Sequence, residues 1–270
     1  MARIGVPVIT IGWRAQAALA GRSAVHPLGT LSESAYLTVG GELIWLGRVG
    51  ASLHARAVLV PRVPDQLEGL ALDQSRARVW RPPTADDLAP AALGATCRTL
   101  CRALPAVGEA VGFGALLVGR TPGFPLDRAA EAARALARAC SRDDPTAALA
   151  SAEPLIGLGP GLTPAGDDFI GGAFFARAAF GRSPTTAMDW ARATERVRAM
   201  AARRTHPISA VLLSDLLAGE GHEPLHDLAS ALTADAASAA VDAVARLVRI
   251  GHSSGWDLLA GFLGCLLESR

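Results

Sequence analysis

The first 80 residues are dominated by short, β-prone apolar runs. Three of these runs predict strands, namely Ala35 to Val39, Glu42 to Leu46 and Ala57 to Val60. Gly40 and Gly41 separate the first two runs, and a Gly-Gly pair between two strands predicts a hairpin. The N-terminal part of the chain is therefore expected to be rich in β-structure.

Longer amphipathic runs follow and predict helices over Thr84 to Leu104 and Leu126 to Cys140, with Val111 to Val118 between them as a strand candidate. After residue 150, helices are predicted near 165–180, 186–204, 207–218, 223–232, 234–249 and 254–268. The residues expected in the core of this helical part are Phe169, Phe174, Phe175, Leu212, Leu216, Val244, Leu247, Leu258, Phe262 and Leu266. The whole pattern predicts an α+β protein, with a β-rich part at residues 1–125 and a helical part at residues 126–270.

One short pattern occurs twice in the helical part, 89 residues apart, at Gly166 to Gly172 and at Gly255 to Gly261. Each copy reads Gly, any residue, Asp, two large apolar residues, a small residue and Gly. On a helix, Asp168 and Asp257 each lie one turn before a glycine on the same face. Glycine inside a helix costs about 1 kcal/mol relative to Ala, so a close backbone approach is expected at both positions. We predict that two helix starts meet and present Asp168 and Asp257 to one site.

Ordinary helix capping is the alternative interpretation of both copies. Ser254 and Asp257 have the spacing of a capping box. Thr163 followed by Pro164 is typical of an N-cap with proline at the first helical position. If capping is the only role of these residues, they are structural and form no site.

The segment before the first copy has three glycines in five residues, Gly157, Gly159 and Gly161. Such a loop, running into a helix start, can turn its backbone N–H groups around an anion, and Thr163 can add a hydroxyl. Carboxylates beside a bare phosphate would repel it. Asp167 and Asp168 therefore suggest either a Mg²⁺ ion between them and the anion, or an amine or amide N–H of the ligand.

Two further loops carry candidate side chains. Gly251 to Gly255 matches G-x-S-x-G, but an α/β-hydrolase needs its His after the Ser in chain order, and His252 is the last His of the chain. Ser253 is therefore a weak nucleophile candidate and, like Ser254, a substrate-binding one. Thr205 and Ser209 are helix-start residues whose hydroxyls could orient a carboxylate or carbamoyl group.

Composition narrows the function classes. The net charge is +1, so nothing favours nucleic acid, and no apolar stretch is long enough to span a membrane. The chain has no Lys, which excludes a Walker A loop, a Schiff base or a lysine general base. Its four cysteines form no C-x-x-C pair and are expected to be thiols in a reducing compartment. With no signal peptide expected, a cytoplasmic location is predicted.

Three segments, 157–172, 205–209 and 251–261, resemble a bacterial family first described as a domain of unknown function, which includes the AllH-like subunit of oxamate carbamoyltransferase. The resemblance is strong over residues 155 to 268 and weaker around 53–58. The family pattern has Ser where this chain has Ala165. If that hydroxyl contacts substrate, this member would differ in ligand or activity.

The resemblance implies nitrogen metabolism linked to purine breakdown, and transfer of a carbamoyl group between carbamoyl phosphate and oxamate by an assembly of several subunits. The Gly157–Thr163 loop, through Gly159, Gly161 and Thr163, would hold the phosphate or carboxylate of a small-molecule substrate. Asp168 and Asp257 would hold the substrate amide or Mg²⁺, the one cofactor considered, and His252 would transfer protons. Two alternatives remain open, a metal-assisted amidohydrolase using the same carboxylates and a non-catalytic assembly subunit.

Overall fold

The computed structural model describes residues 5–21, 25–83, 93–180 and 183–267. The chain divides into two compact units, Met1–Pro83 and Thr84–Arg270. The expected boundary at residue 125 lies inside the second unit. That residues 1–125 and 126–270 are separate domains remains a prediction. The fold class is confirmed, because the strands lie in the N-terminal region and helices make up the C-terminal part.

The first unit contains a six-stranded mixed sheet in the order β3-β4-β5-β6-β2-β8 and a two-stranded sheet in which β1 pairs with β7. The three predicted strands are confirmed as β4, β5 and β6. The Gly40-Gly41 hairpin is confirmed by the antiparallel pairing of β4 with β5. The strands are β1 Val6–Pro7, β2 Thr10–Gly12, β3 His26–Thr30, β4 Ser34–Val39, β5 Glu42–Arg48, β6 Ala57–Val60, β7 Leu72–Asp73 and β8 Arg78–Trp80.

One face of this sheet forms the core of the first unit. Ala35, Leu37 and Val39 alternate with half-buried residues along β4, as a period of two requires. Helix α1, Trp13–Leu19, buries Ala15, Ala18 and Leu19 in the same apolar cluster. The sequence interpretation did not identify this helix, because seven residues are too few to show a helical period.

The second unit is helical in its described residues. All the helices predicted after residue 150 are confirmed with boundaries that differ by a few residues at most; residues 84–92 of the expected first helix and residue 268 lie outside the described residues. The helices are α2 Leu93–Val107, α3 Ala130–Ser141, α4 Pro145–Ala152, α5 Ala165–Phe180, α6 Ala187–Arg204, α7 Pro207–Leu217, α8 Glu223–Thr233, α9 Ala237–Leu247 and α10 Ser254–Leu267.

Two predictions about the second unit are wrong. Val111 to Val118 was expected to be a strand, but Gly112–Val118 is a 3₁₀ segment that ends at Gly119 in the left-handed region. An apolar run of this length does not distinguish strand from helix, and positive φ at Gly112 and Gly119 favours a tight turn. Leu212 was expected in the core but is only half-buried, whereas its neighbour Leu213 is buried.

Helices α5 and α10 pack against each other at the centre of the second unit. Every residue from Ala165 to Ala176 in α5 is buried, and so is every residue from Gly255 to Leu263 in α10. A helix buried on all faces carries apolar residues on all faces, and these two do so except at their acidic first turns. Carboxylates there are enclosed by protein rather than by water.

No helix in the described part of the chain is both long and apolar enough to cross a membrane. The four cysteines are free thiols, as expected; Cys97, Cys140 and Cys265 are buried and Cys101 is half-buried.

Candidate functional site

The repeated glycines bring the two helix backbones together. A Cβ atom added to Gly172 would overlap the carbonyl oxygen of Leu258, and one added to Gly261 would overlap the carbonyl oxygen of Phe169. Only glycine permits backbones to approach this closely. The expected close helix contact at both glycines is confirmed.

These two contacts are reciprocal. Leu258 and Phe169 each follow the aspartate of their own motif copy. The last glycine of each copy therefore contacts the residue that follows the aspartate in the other copy. The first glycines match as well, since a Cβ on Gly166 or on Gly255 would overlap a backbone carbonyl oxygen. The contacts of Gly172 and Gly261 therefore relate the starts of α5 and α10 by an approximate two-fold symmetry.

Asp168 and Asp257 are buried in the first turns of α5 and α10. Their exposed fractions are 8% and 0%. Among the described residues, the Oδ2 atom of each is buried without a hydrogen-bond partner. The charge of Asp257 raises the pKa of Asp168, so the two carboxyl groups are close enough to interact. The structure thus brings together the two carboxylates that the sequence pattern paired.

The 3₁₀ segment supplies one partner of Asp257. The backbone N–H of Phe113 donates to Oδ1 of Asp257 at 2.6 Å, and the hydroxyl of Ser253 lowers the pKa of the same carboxyl group. Gly112 has φ +56°, and a Cβ on it would overlap that carboxyl group. Sequence reasoning missed Gly112 and Phe113; the signal was the glycine that opens the apolar run assigned as a strand.

Two hydroxyl groups, those of Ser254 and Thr163, lie on the Asp168 side of the site. The hydroxyl of Ser254 lowers the pKa of Asp168, and its Oγ lies 3.0 Å from the Oγ of Thr163 in the glycine-rich loop. This contact joins the loop before α5 to the start of α10. Thr163, Ser253 and Ser254, predicted as substrate-binding residues, all lie at the carboxylate pair.

Burial is the main cause of the pKa shifts here. It raises the pKa of Asp168 well above its usual range, and the neighbouring charge of Asp257 raises it further. Burial also raises the pKa of Asp257 to about 7, although the Phe113 N–H and the Ser253 hydroxyl act in the opposite direction. Such shifts in a pair of carboxyl groups are typical of functional sites, though structural networks can also produce them.

Asp167 has a different environment from its neighbour Asp168. It accepts hydrogen bonds from the N–H of Gly157 at 2.8 Å, from the hydroxyl of Ser209 at 2.6 Å and from the hydroxyl of Thr205. Both its oxygens are therefore used within the protein. Asp167 connects the glycine-rich loop with the start of α7, and the hydroxyls of Thr205 and Ser209 point to this carboxylate.

The three glycines of the glycine-rich loop all have positive φ angles. Gly157, Gly159 and Gly161 have φ of +74°, +113° and +94°. In the described part of the chain, the N–H groups of Gly159, Gly161 and Leu162 have no hydrogen-bond partner. The Cβ position of Gly161 faces open space. Donors of this kind beside a helix start suit an oxyanion.

Capping does not account for the motif side chains. Helix α5 begins at Ala165, and the N–H groups of Asp167 and Asp168 donate to the carbonyl of Pro164, so proline precedes the helix. The hydroxyl of Thr163 binds Ser254 instead of a helix N–H. Asp257 accepts from Phe113, which lies outside the expected capping box.

The two loop histidines have separate places. The Nδ1 atom of His206 accepts from the N–H of Ile208 at 3.2 Å and caps α7. His252 is exposed in the turn that precedes α10, next to Ser253.

The donor set limits the choice of metal. No group of three or more His, Cys, Asp or Glu that could hold an ion occurs among the residues with described positions. Two carboxylates and neighbouring hydroxyls are oxygen ligands, which suit Mg²⁺ if water and substrate complete its coordination. They do not suit a zinc site.

The family model described as oxamate carbamoyltransferase subunit AllH matches residues 155–266. The resemblance is confirmed over this segment, which includes the glycine-rich loop and both aspartate motifs and is less than half of the chain. Gly112 and Phe113 lie outside it. No curated protein and no solved structure matches the chain.

Proposed function

We propose that this chain is a substrate-binding subunit of a carbamoyltransferase that acts on oxamate or a close relative. The carbamoyltransferase family match of residues 155–266 supports the reaction class. The observation that carries the proposal is the buried pair Asp168 and Asp257, each with an oxygen that lacks a partner among the described residues. Such oxygens call for a donor or a cation from a ligand.

The proposed ligand contacts divide between the loop and the carboxylates. The N–H groups of Gly159 and Gly161, with the Thr163 hydroxyl, would hold the phosphate or carboxylate of the substrate. Asp168 and Asp257 would hold its amide group or a Mg²⁺ ion, with Ser253 and Ser254 beside them. In the transfer, the amide nitrogen of oxamate forms a bond to the carbamoyl carbon, the bond from that carbon to the phosphate oxygen breaks, and a proton leaves the nitrogen.

The other predicted residues have supporting roles in this proposal. Asp167, with Thr205 and Ser209, would position the glycine-rich loop, since these groups bond one another. His252 would transfer protons at the exposed side of the site, a role that His252→Gln tests through the transfer rate. Other enzyme subunits are the proposed partners, and they would supply whatever the reaction needs beyond this chain.

The alternatives make different demands on the same residues. An amidohydrolase would need a metal-bound water between the carboxylates and would hydrolyse amides without carbamoyl phosphate. A non-catalytic assembly subunit would need no ligand at all. The N–H groups of the loop and the carboxylate oxygens, which lack partners among the described residues, favour a ligand with both an anionic end and a polar end.

Isothermal titration of the full chain with carbamoyl phosphate and with oxamate, with and without Mg²⁺, tests the proposal. Gly161→Ala places a side chain at φ +94° and is expected to weaken carbamoyl phosphate binding at least about tenfold by disturbing the loop. Gly119→Ala is the matched control, because Gly119 is also exposed, has φ +72° and faces open space. Absence of binding by the wild-type chain, alone and with its partner subunits, would contradict the proposal.

A further inference from the structure

The Asp168 and Asp257 carboxyl groups each have one buried oxygen that accepts no hydrogen bond from the described residues. Oδ1 of Asp257 accepts from the Phe113 N–H, and each carboxyl group has one serine hydroxyl. Both Oδ2 atoms are buried and have no partner in the described residues. An unsatisfied buried acceptor costs about 1–3 kcal/mol. Two such acceptors, at the starts of two helices that pack against each other, indicate a ligand that satisfies both.

A divalent cation satisfies acceptors, but this site is poorly built for one. No third acidic or histidine side chain completes a metal group in the described residues. Both carboxylates lie at helix N-termini, where the backbone carries partial positive charge. The N–H of Phe113 adds another positive end of a dipole at Asp257. These partial positive charges offset part of the negative charge of the pair, which favours a neutral donor over a cation with charge +2.

An amide NH₂ group matches the geometry. It is planar and has two N–H donors that diverge from one nitrogen, so it can donate to two acceptors on opposite sides. Asp168 and Asp257 lie in the first turns of two packed helices, so each helix provides one acceptor. The glycine-rich loop, joined to the same place through Thr163 and Ser254, offers donors for an anionic group at the other end of the ligand.

We propose that Asp168 and Asp257 bind the terminal NH₂ group of a carbamoyl or primary-amide substrate, with one N–H donated to each of the two buried Oδ2 atoms. This assignment rests on the proposed function and adds the part of the substrate that the pair recognises. It makes the pair a specificity determinant: a ligand with the same anionic end and no NH₂ group leaves two buried acceptors unsatisfied.

The raised pKa values of both carboxyl groups agree with this assignment. Protonation lowers the negative charge of a carboxyl pair, and a neutral NH₂ group needs no full charge on its acceptors.

The test compares carbamoyl phosphate with acetyl phosphate, which replaces the NH₂ group by a methyl group of similar size and keeps the phosphate. Titrations of the full chain in EDTA, or of its complex with partner subunits, measure both affinities. Carbamoyl phosphate is expected to bind at least about tenfold more tightly, since the methyl group leaves buried acceptors unpaired. Asp257→Asn is expected to abolish this preference, because the new amide can donate to Asp168 and take the place of the ligand NH₂.

Asp227→Asn is the control, since Asp227 is an exposed acid paired with Arg246, and it should keep the preference. If Asp257→Asn does not fold, Asp168→Asn carries the same expectation. Equal affinity for the two phosphates in EDTA would overturn the NH₂ assignment while leaving the proposed function standing. If both phosphates bind only in the presence of Mg²⁺, and with equal affinity, the NH₂ assignment would be overturned in favour of a cation site. Binding of neither phosphate under any condition would overturn both proposals.

Discussion

The starts of α5 and α10 repeat one motif, yet they carry different supporting groups. At α5, the hydroxyl of Ser254 from the opposite helix lowers the pKa of Asp168. The residue of α5 that corresponds to Ser254 is Ala165. Asp257 in α10 instead accepts from the N–H of Phe113, and the hydroxyl of Ser253 lowers its pKa. The backbone contacts of the two copies match, whereas their polar contacts do not.

This difference distinguishes the residues that helix packing requires from the residues that ligand binding requires. The glycines that permit close backbone approach are the same in both copies because both helices need the same separation. The polar neighbours are free to diverge, since each carboxyl group keeps one oxygen for the site. A site with unlike halves suits an unsymmetrical ligand, such as a molecule with an anionic end and an NH₂ end.

The largest expected effect breaks the shared backbone contact. Gly172→Ala and Gly261→Ala each place a Cβ against a carbonyl oxygen of the facing helix, which cannot move aside as a side chain can. Each is expected to lower the free energy of unfolding by about 3 kcal/mol or more. Urea unfolding followed by circular dichroism measures this.

Gly264→Ala is the control in the same helix, because its Cβ would meet only the side chain of Ala137 at 3.2 Å. The gain of about 1 kcal/mol in helix propensity offsets that tight contact, so a change within about 1 kcal/mol is expected. If Gly172→Ala or Gly261→Ala is as stable as the wild type, the two helices do not approach as described.

The next effect contrasts the adjacent carboxylates Asp167 and Asp168. Asp167→Asn turns an amide donor toward the donors of Gly157, Thr205 and Ser209, and is expected to cost about 2 kcal/mol. Asp168→Asn is expected to be neutral or stabilising, because it removes a buried charge that faces Asp257. Thermal unfolding of the two variants at pH 8 measures the difference, and equal losses would contradict the separate roles of the two residues.

A third effect concerns pH. The pKa of Asp257 is raised from 3.8 to about 7 by folding, mainly through burial, so the folded state binds more protons than the unfolded state between these values. The contribution of Asp257 to stability is therefore fully present below about pH 4 and is lost as pH rises through about 7. Asp257→Asn has no carboxyl group to ionise and keeps an acceptor for Phe113.

Comparison of wild-type and Asp257→Asn melting temperatures from pH 4 to pH 8, in EDTA, checks this expectation. The variant should gain stability relative to the wild type as the pH increases. A constant difference across this range would show that Asp257 titrates normally.

The smallest effects concern the unlike polar groups. Ser254→Ala removes a hydroxyl from Asp168 and is expected to cost about 1 kcal/mol. Ala165→Ser places a hydroxyl at the corresponding position of α5, where the two-fold relation directs it toward Asp257, and its effect on stability should be less than about 1 kcal/mol. It should lower the pKa of Asp257, which NMR of labelled aspartate measures; an unchanged pKa would show that the two-fold relation does not extend to side chains.

Much of the helical unit could be predicted from sequence, because apolar spacing and helix-start signals are local. The motif repeat also predicted the contact at Gly172 and Gly261, since a glycine inside an apolar helix usually marks a close backbone approach. The 3₁₀ segment could not be identified in this way. Its role depends on Phe113 donating to Asp257, a residue 144 positions away, and no local pattern carries that information.

The separate roles of Asp167 and Asp168 could not be predicted from the sequence either. Asp167 and Asp168 are adjacent in sequence but lie about 100° apart around the helix, so one faces Thr205 and Ser209 while the other faces Asp257. The sequence interpretation proposed Thr205 and Ser209 as substrate contacts because their hydroxyls follow a loop. The structure shows the carboxylate of Asp167 as the acceptor of both hydroxyls.

The central claim is that the two helix starts form one site in which Asp168 and Asp257 act on each other. The most direct measurement is an NMR titration of the Asp168 carboxyl carbon in the wild type and in Asp257→Asn, without ligand. Because the charge of Asp257 raises the pKa of Asp168, the account expects that pKa to fall in the variant while burial keeps it above its usual range. An Asp168 pKa that is the same in both proteins would contradict the shared site.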